Sequence, residues 1–363
     1  MYEHKITIII YGVLACCGSN NYYTVVQISD AILATLAYYD GLDYPLSAFE
    51  LYRYLVNPQR LKPNIEVVEA ITLKDIYEAV EGLLERNQIQ EENGFYYLRG
   101  RSGLSALRLA REKISAQKWR LCLRRAYWLQ MAPWIRGMFV SGSLALGTAS
   151  SESDFDILVL VKPSRLYLAR LFLSGMALLI GARRTRYETI APDKFCFNHY
   201  LTTDALRIKH ESLYNAQTYA RLVPMAINST LVGKFFVENL WINKYVYNFT
   251  PHQQTIRRAV RPSVFLKGVA RVVEFIGQGR IGDSLENWAR QYQQKRITNN
   301  PATHASGGRV VYTNTELEFH PHSFERIILD HYNATIRHLG ISMNPEPDSG
   351  LKKIVGQLFK AGP

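Results

Sequence analysis

Cysteine is scarce in this chain, with four among 363 residues, and two of them, Cys16 and Cys17, are adjacent. That excludes the disulfide framework on which small secreted domains rely. Cys122 and Cys196 sit among apolar neighbours and are expected to be inert core thiols. Long apolar runs are also lacking. Leu171 to Ala182 is a run of twelve residues that ends before Arg183. It falls short of the roughly 20 residues that cross a bilayer and reads as a buried helix. Ile6 to Cys17, after Lys5, is equally short. Its Val13-Leu14-Ala15-Cys16 loosely matches a lipoprotein signal, so residues 1–17 could serve as a signal segment; the alternative is an added strand or a poorly structured extension. Internal repeats and low-complexity tracts are absent, which excludes solenoids and arrays.

What is present is ordinary for a packed protein: 47% hydrophobic and 20% charged residues, too apolar for general disorder. The length predicts two or three domains. Lys and Arg exceed Asp and Glu by 12, which makes an anionic partner plausible: nucleotide, nucleic acid or an acidic surface.

Residues 1–28 form an N-terminal extension, and residues 29–100 read as one unit. Ser29 or Asp30 caps a helix to about Tyr39, Ser47 caps a second to about Val56, and Thr72 caps a third to about Asn87. Asp75, three residues after Thr72, completes a near capping box. Asn93-Gly94 then joins Ile89–Glu92 to Phe95–Leu98 as a tight hairpin. Three helices followed by a hairpin is a winged-helix pattern. Its obvious use is DNA binding through the third helix. The charges argue against that use, because the segment holds six Lys/Arg against twelve Asp/Glu. Its third helix carries Asp75, Glu78, Glu81 and Glu85, which phosphates would repel. A packing or protein-contact role is expected instead.

Residues 101–136 form a long basic helix, broken at most once, with nine basic residues and one acid. Its charges read as a solvated face or as a positive wall beside a phosphate site. Arg165 to Ala182 predicts a helix and Phe195 to Leu201 a strand. Residues 211–363 are expected to be basic and mainly helical, with a loop at 299–308 and a last helix from about Ser323. His320 and His322 lack a third ligand nearby, so no metal site is expected from them.

The chemistry concentrates between Met138 and Val161. A short apolar strand, Met138 to Val140, runs into Ser141-Gly142-Ser143. Glycine lets backbone approach a ligand closely, and N–H groups at a helix start bind phosphate. After a gap of ten residues from Ser143 comes Asp154-Phe155-Asp156, opening a second apolar strand. Residues two apart on a strand point the same way, so the two carboxylates project together. Such a pair repels unless a hard divalent cation lies between, and Mg²⁺ binds carboxylates together with substrate phosphates.

This combination resembles the signature of the polymerase-beta-like nucleotidyltransferase superfamily. The winged unit, the segment Lys194 to Leu201 and Phe319-His320-Pro321 also resemble a group of uncharacterised bacterial nucleotidyltransferase-domain proteins. The resemblance implies an α/β (α+β) nucleotidyltransferase core at residues 101–210, with its leading basic helix. It implies that Gly142 and Ser143, with Ser141, hold a nucleoside triphosphate, ATP foremost, and that Asp154 and Asp156 bind Mg²⁺ or Mn²⁺ and are catalytic. Members transfer a nucleoside monophosphate to a hydroxyl acceptor and release pyrophosphate. The acceptor is left open, nucleic acid and protein included, and the helical region after 210 would help to bind base or acceptor. The superfamily usually has a third carboxylate on the next strand, where this chain offers Asn198 or His199; Asp193 and Asp204 flank that strand. Arg183, Arg184 and Arg186 are further candidates for contact with phosphate. The rival readings are a catalytically weak or inactive nucleotide-binding regulator, winged-helix and antitoxin-like, and a nucleic-acid-binding adaptor. A cytoplasmic protein without a membrane partner is expected.

Overall fold

The computed structural model describes residues 28–61, 70–185, 188, 190–226, 229–251, 258–305, 308–321, 323–347 and 355–356. The expectations for Ile6 to Cys17, Arg186 and His322 lie outside these residues. The chain divides into two units, one of Met1–Ala106, Asn243–Phe249 and Ile327–Pro347, the other of Leu107–Ile242, Thr250–Arg326 and Asp348–Pro363.

The first unit begins with α1 (28–40), then β1 (Leu46–Ser47), α2 (Ala48–Arg53) and α3 (Leu73–Glu85). The hairpin of β2 (Ile89–Glu92) and β3 (Phe95–Leu98) follows, and β1 pairs antiparallel with β3. Local chemistry sets these bounds. Ser47 with Glu50, and Thr72 with Asp75, form reciprocal capping boxes. Asn93 and Gly94 both take left-handed backbone, as a two-residue hairpin turn requires. Ile76, Ala79, Val80 and Leu83 bury one face of α3, while Glu78, Glu81 and Glu85 stay exposed. Residues 243–249 join the unit by backbone: Asn57 N–H donates to Tyr245 C=O and Tyr247 N–H to Leu55 C=O.

The second unit is built on a mixed sheet. α4 (Leu104–Trp128) leads into β4 (Ile135–Val140), α5 (Gly142–Leu146), β5 (Phe155–Val161), α6 (Leu166–Leu179) and β6 (Phe195–Thr202). Then come α7 (Leu213–Ala220), β7 (Val223–Pro224), α8 (Ser229–Glu238), α9 (Val264–Ile276) and α10 (Gly279–Thr298). The unit's last strands are β8 (Arg309–Tyr312), β9 (Glu316–His320) and β10 (Val355–Gly356); α11 (Glu325–His338), between β9 and β10 in the chain, belongs almost wholly to the first unit. Strand order is β10-β8-β9-β6-β5-β4-β7. β5 runs parallel to β6 and antiparallel to β4. The apolar run of β5 is buried on both faces: Ile157, Val159 and Val161 enter the core shared with α4, α6 and α10. Leu158 pairs with Phe139, which packs on Phe235 and Phe236 of α8. Two covered faces explain a continuous rather than alternating apolar strand.

Two expectations need correction. The long helix stops at Trp128, and residues up to Arg136 already belong to a 3₁₀ turn and to β4. Ser29 and Asp30 lie inside α1 and do not cap it, because the helix already includes residue 28. Beside its helices, the region after 210 adds β8 and β9 to the sheet through β6. No helix among the described residues is long and apolar enough to cross a membrane.

Candidate active site

β4 ends at Val140, and the Ser141 N–H donates to the Asp156 carbonyl at 2.9 Å, so the turn and the start of β5 are tied together. Gly142 follows in left-handed backbone, φ +61°. A methyl group built there would overlap Oδ2 of Asp156. Only glycine meets both demands. α5 spans five residues and closes at Gly147, also left-handed, whose N–H donates to Ser143 C=O at 2.9 Å. The Ser141 hydroxyl makes no cap to this helix.

Helix α4 braces the loop between α5 and β5. Trp119 Nε1 donates to Leu144 C=O at 3.2 Å, and the Ser115 hydroxyl accepts Ala149 N–H at 3.3 Å. Buried Lys118 donates to the carbonyls of Ser151 (3.0 Å) and Ser153 (2.8 Å) and pairs with Asp193 at 2.7 Å. At this position the basic helix is a structural clamp, not a free positive wall.

Asp154 and Asp156 lie together as their spacing requires. Arg184 Nη1 donates to Asp154 Oδ2 at 2.6 Å, and Asn198 Nδ2 to Asp156 Oδ1 at 2.8 Å. One oxygen each of Asp154 and Asp156 and the Cys196 sulfur lie within 4.8 Å of one another, a set able to hold a cation. Burial, and then the neighbouring Asp154 charge, push the Asp156 carboxyl well above the ordinary range against the pull of Arg184. Burial pulls Arg184 down, but Asp154 beside it holds the guanidinium above its usual value. This is the strain expected of a carboxylate pair that wants a further positive charge. Ser141, Gly142, Ser143, Asp154, Asp156, Cys196 and Asn198 are all partly exposed, so the cluster is open to solvent.

The structure separates the other candidates. β6 faces Asp156 with Asn198, not His199. Asp156 pairs with Cys196 and Leu158 with His199, so β6 carries one extra residue there, a bulge that re-aims its side chains. His199 is 2% exposed and is engaged by Tyr219 (Nδ1 to Oη, 3.1 Å) and Glu316 (Nε2 to Oε1, 3.3 Å). Asp193 is held by Lys118, and its carbonyl accepts from Arg125. Asp204 lines a cavity of about 380 Å³ with Ser164, Thr202 and Arg290, at the carboxyl ends of β5 and β6, whereas Asp154 and Asp156 stand at the amino end of β5. Arg183 bridges by backbone to Phe195, which leaves its neighbour Arg184 at the site. Cys196 is the residue the sequence reading missed. It is half-buried beside the carboxylates rather than a core thiol; the signal was its alternation with Asn198 on a strand laid beside Asp156. Cys122 is fully buried, its thiol pushed up to about 12 by burial.

Comparison with known families matches residues 125–209 to the nucleotidyltransferase domain. Comparisons with curated proteins and with solved structures returned no match. The matched span runs from the end of α4 through β6 and contains Ser141, Gly142, Ser143, Asp154, Asp156 and Asn198. The chain therefore carries a nucleotidyltransferase domain, consistent with a polymerase-beta-like nucleotidyltransferase.

Proposed function

We propose that the protein transfers a nucleoside monophosphate from a nucleoside triphosphate, ATP foremost, to a hydroxyl acceptor and releases pyrophosphate, with Mg²⁺ or Mn²⁺. One observation carries this reading: Asp154 and Asp156 stand side by side against a glycine turn where even a methyl group would meet Asp156, inside the matched domain. Bound at Asp154 and Asp156, the cation would offset triphosphate charge. Gly142 lets the phosphates approach the backbone, and the partly exposed Ser141 and Ser143 would offer hydroxyl donors. Arg184, now on Asp154, is within reach of incoming phosphate oxygens and supplies bidentate donors. Asn198 fixes the Asp156 carboxylate but cannot accept the acceptor's proton. Catalysis here rests on positioning and electrostatics. Use of a nucleoside triphosphate fits a cytoplasmic protein.

The test is incubation with each labelled triphosphate, Mg²⁺ or Mn²⁺, and RNA, protein or small hydroxyl acceptors. Pyrophosphate release should require the cation and vanish in the double variant Asp154→Ala, Asp156→Ala; release that persists there sinks the assignment. Asn198 at the third position favours one second reading, a regulator that binds nucleotide without fast transfer. The order helix, strand, two helices and hairpin in the first unit supports a winged helix, and its acidic third helix suits a protein partner better than DNA. Cation-dependent nucleotide binding with no release under any condition would select that reading.

A further inference from the structure

A second cluster of ligating groups lies apart from the carboxylate pair, on β6, β9 and the loop before α7. Glu318 stands opposite His199 in the β6–β9 register, and Glu316 and His320 fall two residues to either side on the same face of β9. Glu316, Glu318 and His199 are each at most 2% exposed. Two buried carboxylates are costly unless charge is supplied to them. Arg309 meets only part of that need. Its guanidinium donates to Glu318 Oε1 at 2.6 Å and also reaches Glu325 at 3.4 Å. Glu316 pairs with His199 at 3.3 Å and with a largely exposed Lys209 at 3.8 Å. Glu318 Oε2 is fully buried and has no hydrogen-bond partner, and the nearest ion-pair contact to it is His210 Nε2 at 3.8 Å.

The spacings point to a ligand. One atom each of His199, Glu316 and Glu318 lies within 4.8 Å of the others. Zinc binds imidazole and carboxylate at about 2.0–2.2 Å, which sets neighbouring ligand atoms in a tetrahedron about 3.3–3.6 Å apart. The His199–Glu316 separation of 3.3 Å is at that edge, while His210 approaches Glu318 Oε2 at 3.8 Å from outside the cluster. His199 Nδ1 bonds the Tyr219 hydroxyl, the outer partner that orients a ligating imidazole. We propose that His199, Glu316 and Glu318 form a buried site for a divalent transition-metal ion, zinc being a fitting choice for a histidine and carboxylate ligand set. The ion ties β9, from the region after residue 300, to β6 of the matched domain, and gives Glu318 Oε2 the partner it lacks.

The experiment uses the full chain, expressed with zinc in the medium and purified without metal affinity. Elemental analysis after dialysis should find about one zinc per chain, retained in the Asp154→Ala, Asp156→Ala variant. Zinc-edge X-ray absorption should show only nitrogen and oxygen neighbours with imidazole scattering. Glu318→Gln, which removes one ligand charge, should weaken zinc binding by at least tenfold. In case side-chain variants do not fold, cobalt(II) added to the metal-stripped native chain should give tetrahedral visible bands without thiolate charge transfer. Failure of the native chain to bind added zinc or cobalt, a sulfur neighbour, loss of zinc in the aspartate double variant, or unchanged affinity in Glu318→Gln would each overturn the proposal.

Discussion

A single methyl group tests the contact between Gly142 and Asp156. Alanine at 142 must hold φ near +61° and displace Oδ2 of Asp156. Left-handed backbone at a non-glycine residue costs of order 1–3 kcal/mol. Gly142→Ala should therefore lower the melting temperature, and it should weaken nucleotide binding by more than the stability loss alone explains; isothermal titration beside calorimetry separates the two. Asn198→Asp asks the opposite question. It replaces the Asn198 hydrogen bond to Asp156 with a further negative charge next to a carboxyl already held from ionising by burial and by Asp154. Without a divalent ion the variant should be less stable than the native chain by about 1–2 kcal/mol. Mg²⁺ should raise its melting temperature more than that of the native chain, and equal Mg²⁺ shifts in the two proteins would count against a cation at this cluster. The Asp-x-Asp pair and the glycine turn were readable because their chemistry is local. Choosing between Asn198 and His199 was not possible from alternation, because a bulge breaks the period of two at that point.

Elements are held together by a few polar ties that periodicity does not reveal. Glu274 of α9 receives the Trp134 N–H at 2.6 Å and both Arg136 amino groups at 2.8 Å, fastening the helix to the start of β4. Burial raises this carboxyl, but the Arg136 and Trp134 hydrogen bonds outweigh it and hold it below its ordinary value. A depressed carboxylate adds stability that is present above its unfolded pKa, about 4.3, and is lost as pH falls through the folded value. Glu274→Gln should thus cost about 1–3 kcal/mol at pH 7. The gap to the native chain should close below about pH 4, which urea unfolding at several pH values will show. Helices α2 and α3 and the hairpin were legible because caps and Asn93-Gly94 act within a few residues. The end of α4 was not, because its arginines favour helix up to Arg136 while tertiary pairing draws residues from Ile135 into β4.

Across the whole molecule, long-range pairing is what the sequence concealed. β9, Glu-Leu-Glu-Phe-His, reads as a polar segment, yet it lies beside β6 with Glu316 and Glu318 buried, a state that depends on partners more than a hundred residues away. The charge distribution was legible directly: residues 29–100 carry −6 and residues 101–363 carry +18, so the overall +12 joins two opposed parts. The positive part contains the matched domain and suits an anionic ligand. A triphosphate held by Ser141–Ser143, Arg184 and a divalent ion replaces few condensed counterions. A nucleic-acid chain laid along many arginines would replace many, and its affinity would fall by about 10³-fold or more between about 50 and 200 mM salt. Under the nucleotide reading, ATP affinity in Mg²⁺ should fall only a few-fold over the same range. Filter binding of labelled ATP and of a labelled RNA in parallel measures both slopes. A steep RNA slope with tight low-salt binding would identify nucleic acid as the acceptor surface. A steep slope for ATP itself would mean that its phosphates are held by diffuse surface charge, not by the cluster around Asp154 and Asp156.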